Sequence, residues 1–274
     1  MESAMRENAH IDAAEDLLRL HERQAFDAEL PCFVSAPAGA APASRLVQLT
    51  NSVKPEGLFR VRRVITRSKH GIRCKFISRK MNCTVHAESL IERDACLLFE
   101  YDPRVQYYQE QPSEETYYDA KQRVHLYYPD FLVRLVTGDE YIFEVKPAAK
   151  LLSPKAREKY ARIAMHFERQ GRPFRLWSET QIRRQPLFNN LKRLHQACAP
   201  RGPQDEFGHV VEELRAQAAH YELSELIRRV GSENRVLRLI GAGALHTNLD
   251  QPLTPTSRVW TQLPMENHDD PNHL

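Results

Sequence analysis

The chain has little cysteine, and its cysteines lack the spacing of a metal site. Its 274 residues contain five of them, and no two form a Cys-x-x-Cys pair: Cys32, Cys74, Cys83, Cys96 and Cys198. An odd number of widely scattered cysteines indicates neither a zinc site nor a disulfide framework. The twelve histidines also show no ligand spacing. A reducing compartment is the natural setting for such a chain.

Long apolar runs are absent as well. No stretch of the sequence is long and apolar enough to span a membrane, and the N-terminus has none of the features of a signal peptide. We therefore expect a cytoplasmic protein without a membrane partner.

The chain also lacks a strong net charge, since 39 basic and 36 acidic residues leave a formal charge of +3. The basic residues are nevertheless unevenly distributed. Residues 58–87 contain no acidic residue but nine Lys or Arg residues, namely Arg60, Arg62, Arg63, Arg67, Lys69, Arg73, Lys75, Arg79 and Lys80. Such a block suits contacts to DNA phosphates. A solvated basic strand or loop is the usual alternative, but this block leads directly into a helix of the predicted site, and we favour DNA contact.

The most informative segment, residues 125–147, has the sequence HLYYPDFLVRLVTGDEYIFEVKP. Two apolar runs joined by Thr-Gly-Asp-Glu predict a β-hairpin. Asp130 then lies on the first strand. Glu144 and Lys146 lie two apart on the second, so they point to the same face. The predicted convergence of two carboxylates and one ammonium group resembles the PD-(D/E)xK nuclease site.

The residue types suit hydrolysis of a phosphodiester. Clustered carboxylates hold Mg²⁺, which takes hard oxygen ligands, and Mn²⁺ is expected to be accepted as well. The backbone carbonyl of Val145 can serve as a further oxygen ligand, and Lys146 adds a positive donor near the reacting atoms. The alternative interpretation is an exposed hairpin edge with an ordinary salt bridge, since Pro-Asp is a common turn dipeptide. The apolar face of the strand around Glu144 favours a buried site.

A third carboxylate lies upstream. Residues 87–101 have the apolar spacing of a helix, which Asp102-Pro103 ends. Glu92 lies in its first turn. Ser89-Leu-Ile-Glu92 also fits a capping box, in which Glu92 would bond the Ser89 backbone. Spacing alone does not separate a helix cap from a metal ligand.

In order along the chain, Ser-Leu-Ile-Glu-Arg-Asp, Phe-Glu-Tyr-Asp-Pro-Arg-Val, Gln-Glu-Gln-Pro, Tyr-Pro-Asp-Phe and Glu-Val-Lys-Pro resemble the TnsA family, the endonuclease subunits of heteromeric DNA transposases. The resemblance runs from about residue 60 to 177, with a weaker continuation to about 260. It implies that Glu92, Asp130 and Lys146 are catalytic and that Glu144 faces the metal. Gln111 matches a glutamine that often precedes the proline after the first strand. An ordinary polar residue at a strand end is an equal alternative.

The resemblance and the element pattern together predict an α/β fold with a restriction-endonuclease-like core, in which helices flank a mixed central sheet. We expect an extension and linker at 1–45, the nuclease domain at 46–200, a winged-helix-like domain at 201–264 and a disordered tail at 265–274. The C-terminal pattern of three short helices followed by two strand-like segments is typical of a winged helix-turn-helix. DNA binding and protein contact both remain open for it, and the resemblance favours contact with an AAA+ ATPase regulator.

The resemblance implies a function as well. We expect a Mg²⁺-dependent endonuclease that cuts the non-transferred strand at the 5′ ends of a transposon, while a DDE-type transposase acts at the 3′ ends. A standalone restriction, repair or defence nuclease of the same fold is one alternative. A non-catalytic adaptor between DNA ends and the ATPase is another, and the intact Asp130, Glu144 and Lys146 argue against it.

Overall fold

The computed structural model of the protein describes residues 73–198 and 208–262. They form two units, the first ending at Arg184 and the second beginning at Gln185. This division lies earlier in the chain than residue 200, where the sequence places the end of the nuclease domain. The predicted extension and linker, the basic residues from Arg60 to Lys69, and the predicted tail lie outside the described residues.

A mixed four-stranded sheet is the centre of the first unit. Its strands are β3 (Val105–Glu110), β6 (Phe131–Leu135), β7 (Glu140–Val145) and β8 (Phe174–Trp177), in that order across the sheet. The first three are antiparallel, and β8 runs parallel to β7. The β6–β7 hairpin turns at Thr137–Glu140 as predicted, where Gly138 has a φ of 98° that favours glycine.

Helix α1 (Leu90–Tyr101) covers one face of this sheet. Its Phe99 is fully buried and contacts one aromatic ring on each of the four strands. The ring centroids of these partners lie 5.2–5.5 Å away, and the partners are Tyr108, Phe131, Phe143 and Trp177. Aromatic pairs at such distances stabilise beyond the area they bury. One side chain therefore fixes the helix over the whole width of the sheet.

Helix α3 (Pro154–Glu168) covers the opposite face, after the short helix α2 (Ala148–Leu151). Ser153 caps its N-terminus by accepting from the Ala156 N–H, and proline occupies the first helical position. Its buried stripe packs with alternate residues of the strands, in a core of Tyr160, Ile163, Ala164, Phe167, Leu132, Ile142, Phe174 and Leu176. Helix, sheet and helix thus form three layers.

The apolar run before the Thr-Gly-Asp-Glu turn is not one strand, and this corrects the sequence interpretation. It divides into β5 (Val124–Tyr127) and β6, and β5 pairs with β4 (Glu115–Tyr118) in a separate hairpin. Pro129 separates the two strands because it lacks a ladder N–H and restricts the residue before it.

A third hairpin precedes helix α1. Strands β1 (Cys74–Ser78) and β2 (Cys83–Ala87) are antiparallel. The described basic residues are Arg73 directly before β1, Lys75 within it, and Arg79 and Lys80 in the turn. A carboxylate of α1 anchors the turn between the two strands, because Glu100 accepts from the Ser78 hydroxyl and from the backbone N–H groups of Arg79 and Lys80. The basic hairpin is thereby attached to the helix that contains Glu92. The short helix α4 (Glu179–Ile182) follows β8 and ends the elements of this unit.

The second unit begins with helix α5 (Leu187–Cys198), which the predicted bounds of 46–200 place in the nuclease domain. The later elements are α6 (Gly208–Gln217), β9 (His220–Glu222), α7 (Leu223–Val230), α8 (Glu233–Gly241), β10 (His246–Thr247) and β11 (Arg258–Trp260). The strands form an antiparallel sheet in the order β10, β11, β9. Buried Asn190 on α5 donates to the carbonyls of Leu249 and Gln251, which holds the segment between β10 and β11.

Within residues 73–198 and 208–262, every helix is too short or too polar to cross a lipid bilayer.

Candidate active site

Asp130 lies directly before β6 rather than within it, which corrects the sequence interpretation. Its backbone carbonyl accepts from the Gln111 N–H at 3.0 Å. Its side-chain Oδ2 accepts from the Val145 N–H at 2.8 Å. The carboxylate is therefore oriented across the hairpin, from the start of β6 to the end of β7.

Glu144 and Lys146 share one face of the second strand, as predicted from their spacing. The Lys146 Nζ lies 2.8 Å from Glu144 Oε1 and 3.0 Å from Asp130 Oδ2. Glu144 is only 3% exposed. The two carboxylates and the ammonium group thus converge as the motif predicts.

The peptide groups around Val145 complete the arrangement. The Val145 N–H holds Asp130, and the Val145 carbonyl accepts from Lys146 Nζ at 3.2 Å. The Lys146 N–H continues the parallel ladder to the carbonyl of Trp177 at 2.9 Å. The end of β7 is therefore fixed by backbone bonds on both sides, and Lys146 contacts all three oxygen groups of the hairpin that the sequence assigns to a metal.

The charges of these groups depend on one another. Burial raises the pKa of Glu144, Asp130 raises it further and Lys146 opposes both effects, which leaves the pKa at about 6. Burial also disfavours the charged form of Lys146, but Asp130 and Glu144 outweigh it and raise the pKa of Lys146 above its ordinary value. Lys146 is therefore positively charged throughout the neutral range.

Glu92 combines the two functions that spacing alone did not separate. Ser89 begins the helix, accepts from the Glu92 N–H and donates to Glu92 Oε1 at 2.8 Å. The reciprocal bond differs from the predicted capping box, since Glu92 Oε2 accepts from the N–H of Glu88 and not from that of Ser89. Burial and then repulsion from Asp130 raise the pKa of Glu92 to about 7. The helix cap thus interacts electrostatically with the hairpin carboxylate.

Gln111 connects these two parts of the site. It follows β3 with a φ of 44°, a left-handed conformation that is uncommon for a residue with a side chain. Its N–H bonds Asp130, and its side-chain Nε2 donates to the Glu88 carboxylate at 3.2 Å. Its Oε1 is buried and has no hydrogen-bond partner.

Two tyrosines that the sequence interpretation did not assign also contact Glu144. The Tyr127 hydroxyl donates to Glu144 Oε2 at 2.5 Å, and the Tyr160 hydroxyl lies 3.4 Å from Oε1. Burial, followed by Glu144, raises the pKa of both hydroxyls, so both remain donors. Only Tyr127 had a sequence signal, because it stands beside the Tyr-Pro-Asp motif.

The basic block divides into exposed and buried residues. Arg73 and Lys75 are exposed, and Arg79 is half-buried in the turn. Lys80 is 8% exposed, and its Nζ donates to the carbonyls of Asp102 and Val105, both at 2.7 Å. The predicted DNA contact of Lys80 stays a prediction, but the structure disfavours it, because the ammonium group is already bonded to the carbonyl of Asp102, which caps helix α1, and to that of Val105 in β3.

The donor set fits a hard divalent cation in chemistry. In residues 73–198 and 208–262, no three Asp, Glu, His or Cys side chains form a group able to hold a metal ion. Two carboxylates and a carbonyl nevertheless surround one positive charge at the end of β7. The buried Gln111 oxygen is a further acceptor without a partner. Oxygen donors of this kind are the ligands that Mg²⁺ and Mn²⁺ prefer.

Residues 102–179 match the family model of the TnsA-like endonuclease N-terminal domain. The predicted resemblance to the TnsA family is confirmed over these residues, and the match supports a nuclease of the transposase type. The matched segment contains Gln111, Asp130, Glu144 and Lys146, whereas Glu92 lies before it. No curated protein matches the chain.

Proposed function

We propose that this chain is the Mg²⁺-dependent endonuclease subunit of a heteromeric transposase, which cuts the non-transferred strand at the 5′ ends of the transposon. The observation that carries the proposal is the convergence of Asp130 and Glu144 on Lys146 within the segment that matches the TnsA-like domain. A DDE-type transposase is the proposed partner for the 3′ ends, so that the two cuts release the element.

In this proposal Glu92, Asp130, Glu144 and the Val145 carbonyl would hold the cation. The cation supplies polarisation of the phosphate and a lowered pKa for a bound water. Lys146 keeps its proton at neutral pH because its two carboxylate neighbours raise its pKa. It therefore acts as an electrostatic donor to the attacking water or the phosphate oxygens, and not as a general base.

The β1–β2 hairpin is the proposed DNA contact of the first unit. Lys75 and Arg73 are exposed there, and Arg79 lies in its turn. Because Glu100 anchors that turn to the helix of Glu92, phosphates bound by the hairpin take a fixed position relative to the catalytic groups. The basic residues that precede Glu92 in the sequence are therefore proposed to contact the DNA at a fixed distance from the catalytic groups.

For the second unit we propose a winged-helix domain that contacts an AAA+ ATPase. The succession of α6, β9, α7, α8 and two further strands, with an antiparallel three-stranded sheet, supports this assignment. Helix α8 contains Arg235 and Arg238 but also Glu233, which pairs with Arg193 at 2.6 Å. This mixed charge favours protein contact over the reading of DNA bases.

The test is cleavage of labelled transposon-end DNA in Mg²⁺, with and without the purified partner transposase, by wild type, Asp130→Ala, Lys146→Ala and Lys121→Ala. Lys121 is exposed in the β4–β5 turn and serves as the control. Partner-dependent cutting of the 5′ strand, lost in the first two variants only, is the expected result.

Other outcomes assign other functions. Cutting of unrelated DNA without a partner identifies a standalone nuclease of the same fold. If Asp130→Ala nicks DNA as efficiently as wild type, the proposed active site is wrong. No cutting by any variant, when the partner transposase is active in the same reaction, leaves the non-catalytic adaptor.

A further inference from the structure

Gln111 occupies a position that the proposed chemistry does not yet use. It is 6% exposed, and it bonds the backbone of Asp130 through its N–H and the Glu88 carboxylate through Nε2. Glu88 in turn donates its backbone N–H to Glu92. One glutamine therefore connects the segment of Asp130 to the segment of Glu92.

The orientation of its amide group follows from this contact. Nε2 is a donor and faces a carboxylate, so exchanging the amide nitrogen and oxygen would place two acceptors against each other. The side-chain oxygen therefore faces away from Glu88, and it is buried without a protein partner. Buried acceptors are almost always satisfied, by protein groups or by ordered water.

The two segments that Gln111 connects contain the carboxylates of Asp130 and Glu92. A water molecule that donates a hydrogen bond to the Gln111 oxygen would therefore lie in a site that is rich in acceptors. Such a water molecule needs a positive partner for its own oxygen. In a site of hard oxygen donors, a hydrated divalent cation provides that partner.

We propose that Gln111 is a positioning residue of the cation site, whose side-chain oxygen accepts a hydrogen bond from the water shell of a divalent cation. This inference rests on the proposed cation site of Asp130 and Glu144.

The chain contains a matched control. Gln122 is the same residue type, also has a left-handed backbone, with φ of 57°, and is exposed in the β4–β5 turn. Gln111→Met and Gln122→Met remove the same amide group from an unbranched side chain of similar size. Gln111→Glu restores an acceptor oxygen without the amide donor.

The experiment measures Mn²⁺ affinity of the full chain without DNA, by the electron paramagnetic resonance signal of free Mn²⁺. Thermal unfolding in EDTA is measured in parallel. We expect Gln111→Met to weaken Mn²⁺ binding by about 10-fold, as loss of groups around metal ligands does. Gln111→Glu is expected to bind at least as tightly as wild type, and Gln122→Met to bind equally.

Four results overturn the inference, and Asp130→Asn distinguishes its failure from failure of the proposed function. If Asp130→Asn loses binding but Gln111→Met does not, the cation site stands and Gln111 has no part in it. Equal weakening by Gln111→Met and Gln111→Glu assigns the effect to the lost bond to Glu88. Absence of Mn²⁺ binding by wild type removes both proposals. Should Gln111→Met fail to fold, weaker binding by Gln111→Glu is sufficient to reject the acceptor.

Discussion

The ammonium group of Lys146 lies 2.8 Å from Oε1 of Glu144, whose side chain is 4% exposed. The same group lies 3.0 Å from Asp130. The single positive charge of Lys146 is thus shared between the two hairpin carboxylates that are proposed to bind Mg²⁺. Lys146 and a divalent cation compete for the same oxygens, although the proposed reaction needs both.

Replacing Lys146 with Met is therefore expected to abolish cleavage and to tighten cation binding. Without a cation the variant leaves buried carboxylates uncompensated, which costs roughly 3–5 kcal/mol of stability when one partner of a buried pair is removed. Mg²⁺ should restore more stability to Lys146→Met than it adds to wild type. Calorimetric titration and thermal unfolding with and without Mg²⁺ test this, with the exposed Lys121→Met as control. Weaker Mg²⁺ binding by Lys146→Met contradicts the competition.

Stability without a cation is expected to fall as pH rises. The pKa of Glu92 is raised from 4.5 to about 7 and that of Glu144 from 4.5 to about 6. The folded state therefore holds these protons more tightly than the unfolded state. Their contribution is fully present below about pH 4.5 and is lost as pH rises through 6 and 7. As each group loses its proton across this range, the free energy of unfolding falls by at most about 1.4 kcal/mol per pH unit.

Unfolding in EDTA measured between pH 4.5 and 8 checks this slope. Glu92→Gln should flatten it, and so should saturating Mg²⁺, whereas Glu168→Gln on the exposed end of helix α3 should leave it unchanged. A slope of the opposite sign in wild type, absent from Glu92→Gln, contradicts the raised pKa.

The two tyrosines on Glu144 are expected to differ in importance. Tyr127 donates at 2.5 Å, while Tyr160 lies at 3.4 Å. Tyr127→Phe removes a donor from a buried carboxylate, and we expect it to cost about 1–3 kcal/mol. It should also shift the acid limb of the cleavage profile to higher pH, because the charged form of Glu144 loses a hydrogen bond. Tyr160→Phe should do less of both, and equal effects in unfolding and pH profiles contradict the assignment.

Lys75 and Lys80 belong to one basic block, but replacing them is expected to have different effects on DNA binding and stability. Lys75→Ala should weaken DNA binding across sequences and reduce the salt slope of the binding constant by about one, without loss of stability. Lys80→Met removes two charged hydrogen bonds to carbonyls and should cost about 3 kcal/mol of stability. DNA affinity at several salt concentrations, measured beside thermal unfolding, separates them. A lower salt slope for Lys80→Met with unchanged stability would indicate that Lys80 contacts DNA.

The sequence predicts the hairpin and its charges because they depend on local patterns. Alternation and a Gly-Asp turn place Glu144 beside Lys146, and both contacts are present. The start of helix α3 is also determined locally, by the Ser153 cap and the proline that follows it. Local signals sufficed where neighbours in the chain are also neighbours in space.

Prediction from the sequence fails where contacts between segments that are distant in the chain determine the structure. Tyr127 contacts Glu144 only because Pro129 interrupts the apolar run and β5 pairs back on β4. In the sequence Lys80 is one basic residue among many, and only the fold surrounds it with the carbonyls at the end of helix α1. The buried oxygen of Gln111 likewise becomes visible only when Glu88 fixes its amide. No spacing rule encodes such pairings.

Phe99 sets a condition for transplanting this site into another scaffold. A grafted β6–β7 hairpin would bring Asp130, Glu144 and Lys146 with it, since backbone bonds within the hairpin and to β8 hold them. Glu92 would not follow, because its helix is positioned by a phenylalanine seated on four rings from four strands. A design that copies only the hairpin motif contains the carboxylates of Asp130 and Glu144. A design that also copies Phe99 and its four aromatic partners places Glu92 beside them.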